Sequence, residues 1–506
     1  MIRVTLLLVL IAMARAEAQP FGQASFDTVR AADVYTEALA FMEPRILDPL
    51  PVSTLTLWGL RGLSAIDPDL SLIVKDGRLR LANRGRSVSD LAVPKEDTAS
   101  LWAVAAATLS GAGSNSSIPV QRAGTQGVIR AFFDELFNHL DPYSRYIPPS
   151  EAEEDIGRRA GRGGLGLTLG RQGNQIVAQS VIAESPAAMA GIRPGDAIVS
   201  VSGFDTIGLE PSAVASLIAG PEGTSLTITW RGRDRKPRSA FVVRALVPPE
   251  TVFAERAADI LVVRLTAFST NTDTQLAHAL QDGMAAVRPP VGIILDLRGN
   301  RGGLVRSAVQ AADTFLPQGV IVTAAGRAAA SNHIWRSTEG ELAAGVPLVV
   351  MVDGRTASAA EILAAALADR GRGVVVGSTT LGKGLVQTID PLPDGGELFV
   401  TWSRLLAPRG WPLQGLGVLP QVCTSLGAES LRRQLALLGT GSHILNQAVA
   451  SHRAVRAPVP NGQVLTMRNV CPAAEGREAD METARTLIQN PTAYATALLP
   501  ALTDAP

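Results

Sequence analysis

The sequence predicts a multidomain α+β protein, and three observations carry that expectation. At 506 residues the chain has room for several domains. Its texture changes along its length, from Ala- and Leu-rich helical patches to short β runs, and then to buried strands alternating with helices. The composition, 46% hydrophobic and 18% charged, is that of a folded chain. Basic and acidic side chains balance at 46 each, so no polyelectrolyte attraction to nucleic acid or an anionic membrane is expected.

Taken in order, residues 1–18 read as a signal peptide. Arg3 precedes an apolar stretch from Val4 to Met13, and Ala14-Arg15-Ala16 or Ala16-Glu17-Ala18 fits a small-residue cleavage site. That stretch, about ten residues, is too short to span a bilayer, so the mature chain is expected outside the cytoplasm, in the periplasm; an uncleaved signal acting as an anchor is the alternative. Residues 19–155 form an N-terminal helical region, with helical patches at 31–42 and 127–140, the latter ending in Asp141-Pro142. Residues 156–246 are a compact mixed β module, with β runs at 176–181 and 226–230 around a helical stretch at 211–219. In residues 247–425, strand runs at 260–265, 291–297, 346–352 and 374–377 alternate with helical segments at 272–286, 304–315 and 358–370, the pattern of an α/β core. Residues 426–506 form a C-terminal helical region, with Leu431, Leu435 and Leu438 at helical spacing and a further helix at 481–489.

Export makes Cys423 and Cys471 candidates for a disulfide, with two buried thiols as the alternative. The five histidines are scattered and form no metal-binding motif, so no metal is expected. Two glycine runs imitate nucleotide-binding loops, Gly161 to Gly166 and Gly377 to Gly384. Both are followed by strand-like residues where phosphate binding requires a helix N-terminus, and no cofactor is expected.

The stretch that carries chemistry is Asp353-Gly354-Arg355-Thr356-Ala357-Ser358-Ala359-Ala360-Glu361, between a buried strand and a helix. A serine at such a junction lies near free backbone N–H groups and the positive end of the helix dipole, which suits a nucleophile whose reaction makes an oxyanion. Ser358-x-x-Glu361 is equally a capping box, which leaves simple helix capping open. Lys383 follows 25 residues later in Thr380-Leu381-Gly382-Lys383-Gly384, after one helix and one returning strand. The chain uses only four lysines among 46 basic residues; an amine desolvated by apolar neighbours can lose its proton and serve as a base, whereas a guanidinium cannot. A solvated surface lysine is the bland alternative. Gln387, counted along a strand, falls on the face of Lys383, where it could orient the amine. The turn Asp296-Leu297-Arg298-Gly299-Asn300-Arg301-Gly302-Gly303 is a source of further N–H donors or merely a close-packing device.

These residues resemble the C-terminal processing peptidases, or tail-specific proteases, over most of residues 127–422. The likeness rests on Leu140-Asp141-Pro142-Tyr143-Ser144, the turn 296–303, Thr356 to Glu361, Ala366-Leu367-Ala368-Asp369, Gly382-Lys383-Gly384 with Gln387, and Gly417-Val418-Leu419-Pro420. The resemblance implies a crotonase-like α/β protease core in which Ser358 is the nucleophile, Lys383 the general base and then acid, and Gln387 the residue that positions it. It further implies a supporting role for Asp369, with packing or a salt bridge as the competing role, and oxyanion N–H groups from Ala359 and Gly302 or Gly303. Arg301 stands where the family usually has proline, Ala360 where serine is usual, and Leu419-Pro420-Gln421 replaces a more acidic segment. The mixed β module resembles a PDZ domain, whose carboxylate-binding loop would be Leu165-Gly166-Leu167 and whose inner turn would be Ala190 to Asp196.

The expectation is therefore an exported serine endopeptidase that binds unstructured apolar C-terminal ends of proteins through its PDZ module and cleaves through an acyl-enzyme. A catalytically idle PDZ-type binding or scaffold protein and a crotonase-like acyl-thioester enzyme are the rivals. An adaptor protein and homo-oligomerisation are left open.

Overall fold

The computed structural model describes residues 25–182, 185–338 and 340–502; the signal-peptide expectation for 1–18 lies outside them. The described residues fall into two compact units, one of 25–40 with 51–140 and one of 41–50 with the chain from 141 onward.

The first unit packs the helices Val52–Leu60, Ala99–Ser116 and Ile118–Phe137 around Tyr35, Phe132 and Phe133; the Tyr35 and Phe132 rings stack at 4.1 Å. It is not purely helical, which corrects the expectation for 19–155. Leu70–Lys75, Arg78–Asn83 and Arg86–Ala92 form a three-stranded antiparallel meander. Its two turns, Asp76-Gly77 and Arg84-Gly85, have positive φ at both residues, as tight hairpin turns require.

In the second unit, Leu167–Gln172, Gln175–Val181, Ala197–Val201, Ser225–Arg231 and Pro237–Val243 build an antiparallel sheet with the helix Pro211–Ile218 against it. Its core contains Ile176, Ile198, Val214, Ile228 and Trp230. Both glycine runs that imitate nucleotide loops lead into strands, Leu167–Gln172 and Leu385–Pro391.

The α/β core is a six-stranded sheet in the order Val252–Ala257, Ile260–Leu265, Gly292–Asp296, Leu348–Val352, Val374–Gly377, Val422–Cys423. All neighbours are parallel except the first pair. Its central strands Gly292–Asp296, Leu348–Val352 and Val374–Gly377 are nearly continuous apolar runs because both faces are covered. Leu348, Val350 and Val352 pack with Leu363, Leu367 and Phe315 on one side, while Val349 and Met351 meet Leu438, Leu487 and Ile488 from the C-terminal helices on the other. The helix Ala359–Asp369 is buried along its whole length, and its alanines let it lie close against its neighbours. A second sheet orders His333–Ser337, Gly319–Gly326, Glu397–Leu406 and Leu385–Pro391, and Arg145–Ile147 adds to Glu397–Leu406.

Candidate active site

Parallel strands deliver their loops to one end of a sheet, and two such loops form the site. After Leu348–Val352 the chain turns through 353–358 and enters the helix Ala359–Asp369. The buried Asp353 carboxylate caps this turn, accepting from the N–H groups of Arg355 (3.0 Å), Thr356 (2.9 Å) and Gly299 (3.0 Å). The Thr356 hydroxyl donates to the Leu297 carbonyl at 2.9 Å and Ala357 N–H to the Asn300 carbonyl at 2.9 Å, so the turn 296–303 is sewn to the serine loop.

Ser358 sits at the mouth of the helix with φ 55°, a left-handed conformation that a non-glycine residue holds only when its surroundings enforce it. Gly302 explains part of that enforcement. A Cβ there would lie 2.8 Å from the Ser358 Cβ and 2.9 Å from the Ala359 nitrogen, so only glycine allows this approach.

The second loop, 378–384, carries Lys383, and the buried Glu361 ties the two together. Its Oε2 accepts from Ser358 N–H and from Lys383 N–H, each at 2.8 Å, and its Oε1 accepts from Gly382 N–H at 2.7 Å and from the Thr380 hydroxyl. The backbone nitrogens of Ser358 and Lys383 are thus within two hydrogen-bond lengths of each other. Burial pushes the Glu361 carboxyl above its ordinary value, against the pull of the four donors. The half-buried Lys383 amine is held below the usual lysine range, first by desolvation and then by Arg145, with Asp141 and Glu361 opposing. Its Nζ lies 4.9 Å from the ring centroid of Tyr143.

Beneath both loops runs the C-terminal segment 471–476. Cys471 is joined to Cys423 in a disulfide, and its carbonyl accepts from the Thr379 hydroxyl at 2.6 Å. The Ala474 carbonyl accepts from Gly354 N–H at 2.7 Å and from the Ser378 hydroxyl at 2.9 Å, and Gly476 N–H donates to Asp353 at 3.1 Å.

A serine with positive φ at a helix mouth and a lysine loop share one buried carboxylate here, and the comparisons with known proteins give the family. Residues 259–424 match peptidase family S41 and residues 177–232 match a PDZ domain. The carboxy-terminal-processing protease of Bartonella bacilliformis is 34% identical over 304 residues, covering 59% of this chain and 69% of that protein. The chain belongs to the carboxy-terminal processing protease family.

The carboxy-terminal processing protease CtpA of Bacillus subtilis is 33% identical, over 56% of this chain and 61% of that one. A solved structure of the photosystem II D1 C-terminal processing protease is 30% identical and covers 59% of this chain and 81% of its own, with a TM-score of 0.34; at that score the structural likeness adds no weight. Family membership makes this protein a serine-type peptidase with a PDZ domain and sets aside the acyl-thioester reading.

Within this processing protease the remaining candidate residues fall as follows, Asp369 in the salt-bridge alternative and the turn donor narrowed to Gly303. The Gln387 amide nitrogen donates to the Thr401 hydroxyl at 3.0 Å and to the Leu385 carbonyl at 3.1 Å, and Lys383 precedes the strand Leu385–Pro391 along which a shared face was counted. Asp369 lies eleven residues along the helix from Ser358, about 16 Å at the helical rise. There it accepts from Arg453 at 2.9 Å and from the Trp411 ring N–H at 2.7 Å, a buried brace to the C-terminal helices. The Gly302 N–H is occupied by the Asn300 side chain at 2.8 Å, whereas the N–H groups of Gly303 and Ala359 have no acceptor among the described residues.

In the PDZ domain, Leu165, Gly166 and Leu167 line a cleft of about 640 Å³ together with Ile182 and with Ser212 and Ala215 of the helix Pro211–Ile218. Gly166 has φ 78°, and a Cβ on it would lie 2.3 Å from that of Ser185.

Sequence reasoning missed two contributors. Glu361 reads as a cap, yet it also binds the lysine loop; a carboxylate on a helix face that is otherwise apolar was the available signal. Tyr143, in the motif Leu140 to Ser144, faces the Lys383 amine, and nothing local in the sequence signals that contact.

Proposed function

We propose that this protein is an exported, periplasmic endopeptidase that captures the unstructured apolar C-terminal end of a protein in its PDZ cleft and hydrolyses peptide bonds with Ser358 and Lys383. The observation that carries the reading is the single buried carboxylate, Glu361, that accepts from the backbones of both residues.

In this mechanism the uncharged Lys383 amine takes the Ser358 proton as Oγ attacks the carbonyl. The oxyanion is met by the N–H groups of Ala359, at the helix N-terminus, and Gly303. Collapse of the tetrahedral intermediate breaks the C–N bond, and the lysine gives its proton to the leaving amine. Water, deprotonated by the same amine, then hydrolyses the acyl-enzyme. Gln387 acts at one remove, by holding Thr401. The core is of the crotonase-like kind, with the serine loop and the lysine loop on adjacent parallel strands.

The test is incubation of an unfolded protein bearing an apolar tail with the wild-type chain, Ser358→Ala and Lys383→Ala, followed by mass spectrometry of the products. Both variants are expected to leave the substrate whole. Cleavage by Ser358→Ala would overturn the nucleophile, and an intact substrate with the wild-type chain would favour an idle PDZ scaffold.

A further inference from the structure

Tyr143 belongs to a motif for which the reaction above finds no use, and it is the aromatic group that faces the lysine amine. Its position is built rather than incidental. Asp141 fastens the turn that carries it: Oδ1 accepts from Tyr143 N–H at 2.9 Å, Ser144 N–H at 3.0 Å and the Thr401 hydroxyl at 2.7 Å, and Oδ2 accepts from the Ser144 hydroxyl at 2.5 Å. Ser144 in turn accepts from Thr401 N–H at 3.0 Å, so the turn is pinned to the strand Glu397–Leu406. Nearby, the Gln414 Oε1 accepts from Gly384 N–H at 2.9 Å, beside the lysine itself. With its turn pinned, the ring holds its centroid 4.9 Å from Nζ.

The groups around the amine come from four elements: Asp141 and Tyr143 on the turn, Arg145 on its strand, and Glu361 on the serine helix, with Arg468 opposite Glu361. A lysine that must be neutral at rest and cationic for part of each cycle poses a balance problem. A carboxylate in contact with Nζ would keep it protonated, and a purely apolar wall would make the ammonium too costly. An aromatic face supplies an intermediate attraction, about 0.5–2 kcal/mol.

We propose that Tyr143 is a positioning residue for the acyl transfer, its ring receiving the Lys383 ammonium that forms when the Ser358 proton is transferred. The proposal rests on the reading of Ser358 and Lys383 as the reacting pair.

The experiment measures kcat/KM for an apolar-tailed unfolded protein across pH, with the full chain carrying Tyr143→Phe, Tyr143→Leu or Lys383→Ala. Tyr143→Phe keeps the ring and is expected to retain the wild-type pH profile. Tyr143→Leu keeps the apolar bulk and loses the ring quadrupole. The lysine limb of its profile is expected to move down by about half to one pH unit, and the plateau to fall about tenfold. Tyr143→Met makes the same comparison should the branched side chain not pack. An unshifted limb in the Leu or Met variant, or a Phe variant as impaired as Leu, overturns the role of the ring. Cleavage by Lys383→Ala overturns the Ser–Lys reading beneath it, so the two failures are told apart.

Discussion

Replacing Glu361 by glutamine separates holding the fold from holding the site. In the less costly amide orientation the Gln Oε1 still serves Ser358 and Lys383, and Nε2 faces the Gly382 N–H, which is left without an acceptor at a cost of about 1–3 kcal/mol. Against that, the uncharged amide relieves the burial that pushes this carboxyl upward, so the two effects largely offset and stability should change by less than about 2 kcal/mol. The geometry does not offset. Two charge-assisted bonds that set the distance between the serine and lysine backbones become weaker and longer, and a displacement of this kind costs on the order of 10- to 100-fold in rate. The assay pairs urea unfolding with kcat/KM on a tailed substrate. Small loss of stability with large loss of rate is expected, while Glu361→Ala, which strips every donor of its acceptor, should lose both. A glutamine variant that cleaves at the wild-type rate refutes the idea that this carboxylate sets the distance.

Three further outcomes follow from the same contacts. Because burial and Arg145 hold the Lys383 amine below the ordinary lysine value of about 10.4, kcat/KM should rise with pH along a limb centred below it. Folding stability should rise over the interval between the lowered and the ordinary value, where the unfolded chain binds the extra proton; Lys383→Met should abolish that slope, and a rate limb at the unperturbed lysine value counts against desolvation. Asp369→Asn breaks a buried ion pair with Arg453 and should lower stability by about 3–5 kcal/mol, while the folded fraction keeps its kcat; a stable variant with depressed kcat would return Asp369 to the chemistry. Cys423→Ser with Cys471→Ser opens a loop of 48 residues and should lower the urea midpoint by an amount worth about 4 kcal/mol; an unchanged midpoint would mean that the staple does not constrain the unfolded chain.

The α/β core was legible because strands buried on both faces are written as unbroken apolar runs, and the serine loop because it stands where such a run meets a helix. The N-terminal meander is written in Asp76-Gly77 and Arg84-Gly85 flanked by alternating residues, a weaker signal than the helical patches around it. Other features were not local. Nothing near Asp369 announces that Arg453 and Trp411 will close on it. Where the strand Leu385–Pro391 begins depends on its pairing with Glu397–Leu406, so a count by twos from Lys383 could not show that the lysine precedes it. The lysine loop's attachment to Glu361 joins residues more than twenty positions apart, and only the sheet's strand order brings them together.

The segment 471–476 under both loops has a consequence for the order in which the enzyme comes into being. Ribosomes deliver the serine and the lysine early and their floor late. A nascent polypeptide that has emerged only as far as Arg468 holds both loops but lacks the groups that receive Gly354, Ser378 and Thr379. Both loops therefore gain these partners only once residues 471–476 have been made.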